Sequence, residues 1–155
     1  MQCTTSAGVS EGGGTLGLTR ANGEIPMSTA PVPVDPAQIP TSPAFAQGMI
    51  LPAGRTLYVG GQNGIDESGR LLDGLGPQTE QALRNVLAVL AEAGTDAEHV
   101  AKLTIYLTSG VDPNAAYEAS GKVWRHRTAV TVVSVAPSRP GVLVEIEAVA
   151  TVPEG

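Results

Sequence analysis

The stretch at residues 127–150, RTAVTVVSVAPSRPGVLVEIEAVA, constrains the fold more than any other part of the chain. Its first run, Thr128 to Val135, is rich in the valine and threonine that strands favour. Its second run, Val142 to Ala150, alternates so that one face is wholly apolar. The pattern predicts two strands separated by a turn. It also places Arg127 at the start of one run and a carboxylate, Glu145, within the other, where a charge is costly unless it is paired, solvated or used.

The preceding residues alternate between strands and helices. Phe45 to Leu51 is predicted to form a short strand. Arg55 to Gly61 is predicted to be a strand ending in two glycines, which form either a bulge or a point of close backbone approach. Residues 76–94 and 112–124 carry apolar side chains at helical spacing, with proline near each start. Val100 to Thr108 alternates as a strand does.

This order of elements predicts an α+β fold in which helices cover one face of a sheet. The other face must be solvated or buried in an oligomer. Apolar residues occur on both faces of the last two strands, and this favours the oligomer.

Residues 1–41 are predicted to form an unstructured leader before a folded domain at 42–155. The leader is rich in glycine, serine and proline, and it cannot bury enough apolar surface to offset its ordering entropy. Met27 is an alternative start, and the sequence does not decide between the two. The only cysteine, Cys3, lies in this leader, so no disulfide framework is expected.

Composition excludes several classes of protein. A formal net charge of −6 disfavours nucleic acid as a partner, since phosphate binding needs a basic surface. No apolar run reaches the roughly 18–20 residues of a membrane span, and no signal peptide is recognisable, so a cytoplasmic location is expected. His99 and His126 stand apart from other metal ligands, and no nucleotide-binding motif is present. We therefore expect no metal and no cofactor.

Arg127, Glu145 and Glu147 remain as candidates for chemistry. Arginine binds carboxylates through two parallel hydrogen bonds, and a glutamate among apolar strand residues can handle a proton or a water. The alternative is that these are ordinary surface charges on a solvated edge. The residue pattern by itself favours that alternative.

The spacing of Arg127 and Glu145 sets a geometric limit. If the last two strands paired as a simple hairpin, the two side chains would lie about 16 Å apart, at ~3.3 Å per residue. They could not then serve one small ligand. Either the strands are not neighbours, or the site lies across a subunit interface, with arginine from one chain and glutamate from another.

From about residue 42 to residue 152 the chain resembles the Rid family, also called the YjgF family, of reactive-intermediate deaminases. The resemblance rests on QTEQALRNVLAVLAEAGTDAEHVAKLTIYLT (Gln78–Thr108), NAAYEA (Asn114–Ala119), RTAV (Arg127–Val130) and VEIEAVA (Val144–Ala150). It implies a chorismate-mutase-like mixed sheet with two helices on one face. It also implies a homotrimer whose sheets form an inner barrel, with sites in the clefts between subunits.

The resemblance also implies site residues. The family's carboxylate-binding arginine falls on Arg127, and its water-positioning glutamate falls on Glu145. A second-helix asparagine falls on Asn114, and a glycine whose backbone N–H faces the ligand falls on Gly61.

Three further positions that line the family's site depart from its best-studied subgroup. Phe45 replaces tyrosine, Gly60 replaces serine and Ala129 replaces cysteine. The backbone of Ala129 can still contact a ligand. Together these changes make the pocket less polar and put the usual activity in doubt.

The activity implied by the resemblance is hydrolysis of 2-imino acids of the 2-aminoacrylate type to 2-keto acids and ammonia, without a cofactor. The alternative, motivated by Phe45 and Gly60, is a non-catalytic binder of small carboxylates that regulates a partner. A third possibility is the ribonuclease or translation-inhibiting activity reported within the family, and the negative net charge counts against it.

Overall fold

The computed structural model describes residues 28–154. The elements follow one another as β1 (Val32–Val34), β2 (Phe45–Ala46), β3 (Gly48–Ile50), β4 (Arg55–Asn63), α1 (Leu75–Glu92), a 3-10 turn (Ala97–His99), β5 (Val100–Thr108), α2 (Pro113–Val123), β6 (Thr128–Val135) and β7 (Val144–Val152). The predicted α+β fold, with two helices and a mixed sheet, is confirmed.

The main sheet has five strands in the order β2-β6-β5-β7-β4. Strand β5 runs parallel to β6 and antiparallel to β7, and β4 runs antiparallel to β7. Because β5 lies between β6 and β7, the last two strands of the chain are not neighbours. The simple hairpin considered from the sequence is therefore absent, and α2 provides the crossover that parallel β5 and β6 require.

The core lies between this sheet and the helices. Helix α1 packs on β4 and β7, and α2 packs against α1. The apolar face of β7 is fully buried, as its alternation predicts, with exposures of 2% or less at Val144, Ile146, Ala148 and Ala150. The alternate residues of β7 therefore point to the face of the sheet that carries no helix.

That second face is mixed in character. It carries Glu145 and Glu147 from β7 and Tyr106 from β5, and it exposes the apolar surface of Tyr58 and Val133, which are 76% and 37% exposed. One chain leaves these side chains uncovered. The homotrimer with an inner barrel, which would cover them, stays a prediction.

Residues 28–41 differ from the expectation of an unstructured leader. Within them, β1 pairs antiparallel with β3, from Val32 opposite Ile50 to Val34 opposite Gly48. Val32 and Val34 remain 50% and 40% exposed, so backbone pairing rather than burial orders this segment. The expectations for residues 1–27, including Met27 and Cys3, lie outside the described residues.

Gln78 ties α1 to two loops. Its side chain is 1% exposed. The amide nitrogen donates to the carbonyls of Leu72 and Gly141, each at 2.8 Å, and the amide oxygen accepts from the Leu143 backbone N–H at 2.8 Å. Leu143 directly precedes β7, so this one side chain fixes the loop that leads to Glu145.

We expect Gln78→Leu to lower the free energy of unfolding by about 3 kcal/mol, because it removes three part-buried hydrogen bonds to backbone groups. Urea denaturation at fixed protein concentration measures the loss. Gln81→Leu is the matched control, since Gln81 donates within α1 to Asn85 and should cost less than about 1 kcal/mol. Equal losses in the two variants would contradict the bridging role of Gln78.

Candidate active site

The carboxylate of Glu145 is held from two sides. Its Oε2 accepts a hydrogen bond from Nδ2 of Asn63 at 2.9 Å and one from Oγ of Ser138 at 3.1 Å. Asn63 is the last residue of β4 and pairs with Glu145 across the sheet, whereas Ser138 comes from the loop between β6 and β7. The carboxylate is therefore oriented, and its Oε1 has no hydrogen-bond donor among residues 28–154.

Gly61 allows Glu145 to adopt this position. Strand β4 bulges between Val59 and Gln62, so that Gly60 and Gly61 together face one residue of β7. A Cβ atom at Gly61 would lie 2.1 Å from Oε1 of Glu145, whereas one at Gly60 would meet no atom within 4 Å. The glycine pair thus forms a bulge and also permits close approach, here by a side chain of the same chain.

Tyr106 and Glu147 lie beside Glu145. The Tyr106 hydroxyl donates to Oε2 of Glu147 at 3.0 Å. This hydrogen bond, with burial and the charges of Glu147 and Glu145, raises the pKa of Tyr106 above its ordinary value. The phenol therefore remains protonated at neutral pH and can donate a hydrogen bond.

A small cavity of about 180 Å³ opens between these side chains and is lined by Tyr106, Ser138, Glu145 and Glu147, among others. It has room for a few waters or a small organic acid. The lining is anionic, so the cavity suits a water or a cationic group better than it suits a carboxylate.

The guanidinium of Arg127 lies in a different place. Its Nε donates to the carbonyl of Ser42 at 2.9 Å, and its Nη1 donates to Oδ2 of Asp35 at 2.7 Å. The other Asp35 oxygen accepts from the Gln47 backbone N–H at 3.0 Å. Of the five N–H groups of an arginine, three remain without an acceptor in the described residues, so Arg127 can also bind a carboxylate ligand.

The ion pair shifts the pKa values of both partners in the directions expected for opposite charges in contact. The hydrogen bond from Arg127, followed by that from the Gln47 backbone, holds the pKa of Asp35 below its ordinary value of 3.8. The same contact with Asp35 raises the pKa of Arg127. Arg127 is thus a permanently charged group whose side chain is held by two partners.

One chain does not bring Arg127 and Glu145 together. The register places Ala129 of β6 opposite Lys102 and Glu145 of β7 opposite Tyr106. Arg127 is therefore six residues away along the sheet, about 20 Å at ~3.3 Å per residue, on a strand that is not adjacent. The separation inferred from a hairpin was wrong in detail, but the conclusion that the two side chains are far apart holds.

The other site residues suggested by the resemblance divide between these places. Gly60 and Gly61 lie with Glu145, and Ala129 lies two residues after Arg127. Phe45, 41% exposed, pairs with Thr128 and lines a separate, larger cavity on the helix side of the sheet. Asn114 is exposed at the start of α2, where its N–H donates to the capping Asp112, and it lines neither cavity.

Sequence patterns did not reveal Asp35, Asn63, Tyr106 or Ser138. Asp35 lay in the expected leader, and the contacts of Asn63 and Ser138 with Glu145 depend on the bulge and the loop. Tyr106 gave one usable signal, because strand alternation places it on the polar face of β5.

Two negative findings concern the described part of the chain. Within residues 28–154, no three histidine, cysteine, aspartate or glutamate side chains are grouped so as to hold a metal ion. None of the helices there is long and apolar enough to cross a membrane.

We expect Asp35→Asn to lower the melting temperature at pH 7, because it removes the charged partner of Arg127. Since the pKa of Asp35 is lowered in the folded state, the ion pair contributes fully above pH 3.8 and is lost as pH falls through the lowered value. The difference from wild type should therefore shrink in strongly acidic buffer. Asp73→Asn, at an exposed position, controls for the loss of one negative charge. A pH-independent difference would argue against the ion pair.

Comparison with known proteins agrees with the fold and with the family resemblance. The family model described as endoribonuclease L-PSP matches residues 36–152. A RutC family protein of Aquifex aeolicus is 38% identical over 86 residues, which span 55% of this chain and 61% of that protein. A human protein named 2-iminobutanoate/2-iminopropanoate deaminase is 36% identical over 99 residues, or 62% of this chain and 72% of that protein.

Solved structures give the same result. A Rid family protein of unknown function from Yersinia pestis superposes with a TM-score of 0.71 at 28% identity, covering 79% of this chain and 98% of that one. RidA from an Antarctic Psychrobacter superposes with a TM-score of 0.59 at 30% identity, covering 79% and 98% of the two chains. From its sequence segments, its fold and these matches, the chain belongs to the endoribonuclease L-PSP family, the RidA/YjgF family that its sequence resembles.

Proposed function

We propose that this protein hydrolyses reactive 2-imino acids of the 2-aminoacrylate type to 2-keto acids and ammonia, at sites formed between the subunits of a homotrimer. The observation that carries the proposal is that Arg127 and Glu145 form two complementary half-sites about 20 Å apart in one chain. Within residues 28–154, one half is a cation with N–H groups that have no acceptor, and the other is an oriented carboxylate with one oxygen that has no donor. The deaminase name carried by the human and rat relatives supports this choice.

In the proposed reaction, Arg127 of one subunit binds the substrate carboxylate alongside Asp35. Glu145 of the neighbouring subunit positions a water through Oε1. The water oxygen bonds to the imine carbon, its proton passes to Glu145, and the C=N electron pair moves onto nitrogen. Glu145 then returns the proton to nitrogen, which gives a carbinolamine. Glu145 next moves the hydroxyl proton of the carbinolamine onto nitrogen, and the C–N bond breaks as the C=O bond forms, releasing ammonia.

The remaining site residues have supporting roles in this proposal. The backbone groups of Gly61 and Ala129 fix the ligand, and Asn114 contributes from the start of α2. Imines of this kind already hydrolyse in water, so positioning and modest acid–base help are sufficient. No cofactor takes part.

A non-catalytic carboxylate-binding regulator remains the second candidate. Its supporting observation is that Asp35 already accepts a hydrogen bond from the Arg127 guanidinium. This contact weakens the hold of Arg127 on the carboxylate of a transition state without abolishing carboxylate binding. Saturable binding of a keto acid by calorimetry, with no acceleration of imine decay, would select this function.

We expect purified protein to accelerate the decay of imines released by an amino-acid oxidase. Arg127→Ala and Glu145→Gln should each lower kcat/KM on the order of 100-fold, because each removes one half-site. Wild-type decay no faster than the buffer control, or an unimpaired Arg127→Ala variant, would refute hydrolysis at this site.

Mixing the two inactive variants tests the location of the site. When Arg127→Ala and Glu145→Gln subunits are unfolded, mixed equally and refolded, about one quarter of the interfaces should combine an intact arginine with an intact glutamate. Activity should reappear in the mixture but not in either variant refolded by itself. A mixture as inactive as its components would place both residues' function within one chain.

We expect Gly61→Ala to lower kcat strongly, because its methyl group would displace the Glu145 carboxylate from Asn63 and Ser138. Gly60→Ala is the matched control, since it adds the same methyl group at a position where no atom lies within 4 Å. Steady-state imine decay measures both variants. Equal losses would show that backbone rigidity rather than the clash matters.

A further inference from the structure

A cavity larger than the one beside Glu145 lies elsewhere in the described residues. It has a volume of about 610 Å³ and lies between α2 and the helix-facing side of β5 and β6. This is within the usual range for small-molecule sites. Its walls are apolar and include Leu103, Ile105, Val130 and Val132.

Small residues make up part of the α2 wall of the cavity, and Tyr117, Glu118 and the C-capping Trp124 line it as well. Ala116, Ser120 and Gly121 line the cavity along one side of the helix. A Cβ atom at Gly121 would meet no atom within 4 Å, so no neighbour excludes a larger side chain there. Glycine also weakens a helix by roughly 1 kcal/mol relative to alanine. The chain thus carries a weak helix former at a position where the space beside the helix is open.

The cavity borders residues that are adjacent in the chain to Arg127 and to its partner Ser42, while Arg127 itself is not one of its lining residues. Residues 43–45 line its rim, and they directly follow Ser42, whose carbonyl accepts from Arg127 at 2.9 Å. Arg125 and His126 line the rim as well, and they directly precede Arg127. Both chain segments that hold the Arg127 side chain therefore border the cavity.

The mainly apolar surface at the cavity favours an apolar occupant. Phe45, Tyr117 and Val132 line it and are 41%, 63% and 53% exposed. Covering such surface is favourable by about 25 cal/mol per Å². A substrate as small as 2-iminopropanoate carries one methyl group and would leave nearly all of this surface exposed to water.

We infer that this cavity receives the side chain of the substrate, so that the preferred substrates are 2-imino acids with large aliphatic or aromatic side chains. The inference rests on the proposed function, and it specifies the substrate class for the same arginine clamp. The carboxylate binds Arg127, and the apolar side chain extends past Phe45 into the space under α2.

The first test compares imines that an amino-acid oxidase generates from alanine, leucine and phenylalanine. We expect kcat/KM for the leucine and phenylalanine imines to exceed that for the alanine imine by roughly ten-fold or more, because each additional buried methylene adds to the discrimination. Equal values, or a preference for the alanine imine, would overturn the inference while leaving imine hydrolysis intact.

Cavity-filling variants provide the second test. Ser120→Leu and Gly121→Leu should remove most of the preference for the large imines. Ser120 donates only to the Tyr117 carbonyl of its own helix, so its loss should spare the fold. Ala115→Leu, at an exposed position of α2 outside the cavity lining, is the matched control and should retain the preference. Unchanged selectivity in both filled variants with normal melting temperatures would overturn the inference.

Calorimetry with the keto acids separates this inference from the proposed function. We expect 4-methyl-2-oxopentanoate and phenylpyruvate to bind roughly ten-fold or more tightly than pyruvate, with binding lost in Arg127→Ala and retained in Arg55→Ala, at an exposed arginine outside the cavity lining. This pattern supports the cavity even if no imine is hydrolysed, in which case the proposed function alone fails. Binding that depends on Arg125 and not on Arg127 would overturn the link between cavity and clamp.

Discussion

The pairing of β7 between β5 and β4 is the constraint on which the rest of the structure depends. Its two-residue period places four apolar side chains in the core and Glu145 and Glu147 on the opposite face. A slip of one residue in register would bury both carboxylates and expose the core residues. The core therefore specifies the position of the candidate catalytic carboxylate, and the groups around Glu145 offset the cost of holding a charge there.

Much of this arrangement was predictable because it is local or periodic. The bounds predicted for the strands at Val100–Thr108 and Thr128–Val135 are those of β5 and β6, since alternation and β-branched residues are properties of neighbouring residues. Strand β1 was missed because long-range contacts order it, including its backbone pairing with β3 and the contact of the adjacent Asp35 with Arg127. The separation of β6 from β7 was not predictable either, because the residue pattern of a short strand does not indicate which strands pair with it.

The candidate site also divides into residues that could be predicted from the sequence and long-range contacts that could not. Its two charged residues could be proposed from residue chemistry and family resemblance. Their partners could not, because the Asp35–Arg127 contact joins residues 92 positions apart and the Asn63–Glu145 contact joins residues 82 apart. An acidic protein that binds an anion must rely on a local cation, and here that cation is itself paired with an internal carboxylate. Under the proposed function, selectivity at Arg127 would depend on the apolar part of the ligand as well as on its charge.

The anchoring of the loop between β6 and β7 has an evolutionary consequence. The loop is tied down at both ends, by the Val135 carbonyl accepting from Ser109 N–H and by the Leu143 N–H donating to Gln78. Ser138, which donates to Glu145, lies between these anchors. Insertions and substitutions within the loop can therefore alter the donor that touches the carboxylate without passing strain to the sheet. The chemistry of the site can diverge among descendants of this chain while its folding machinery is inherited unchanged.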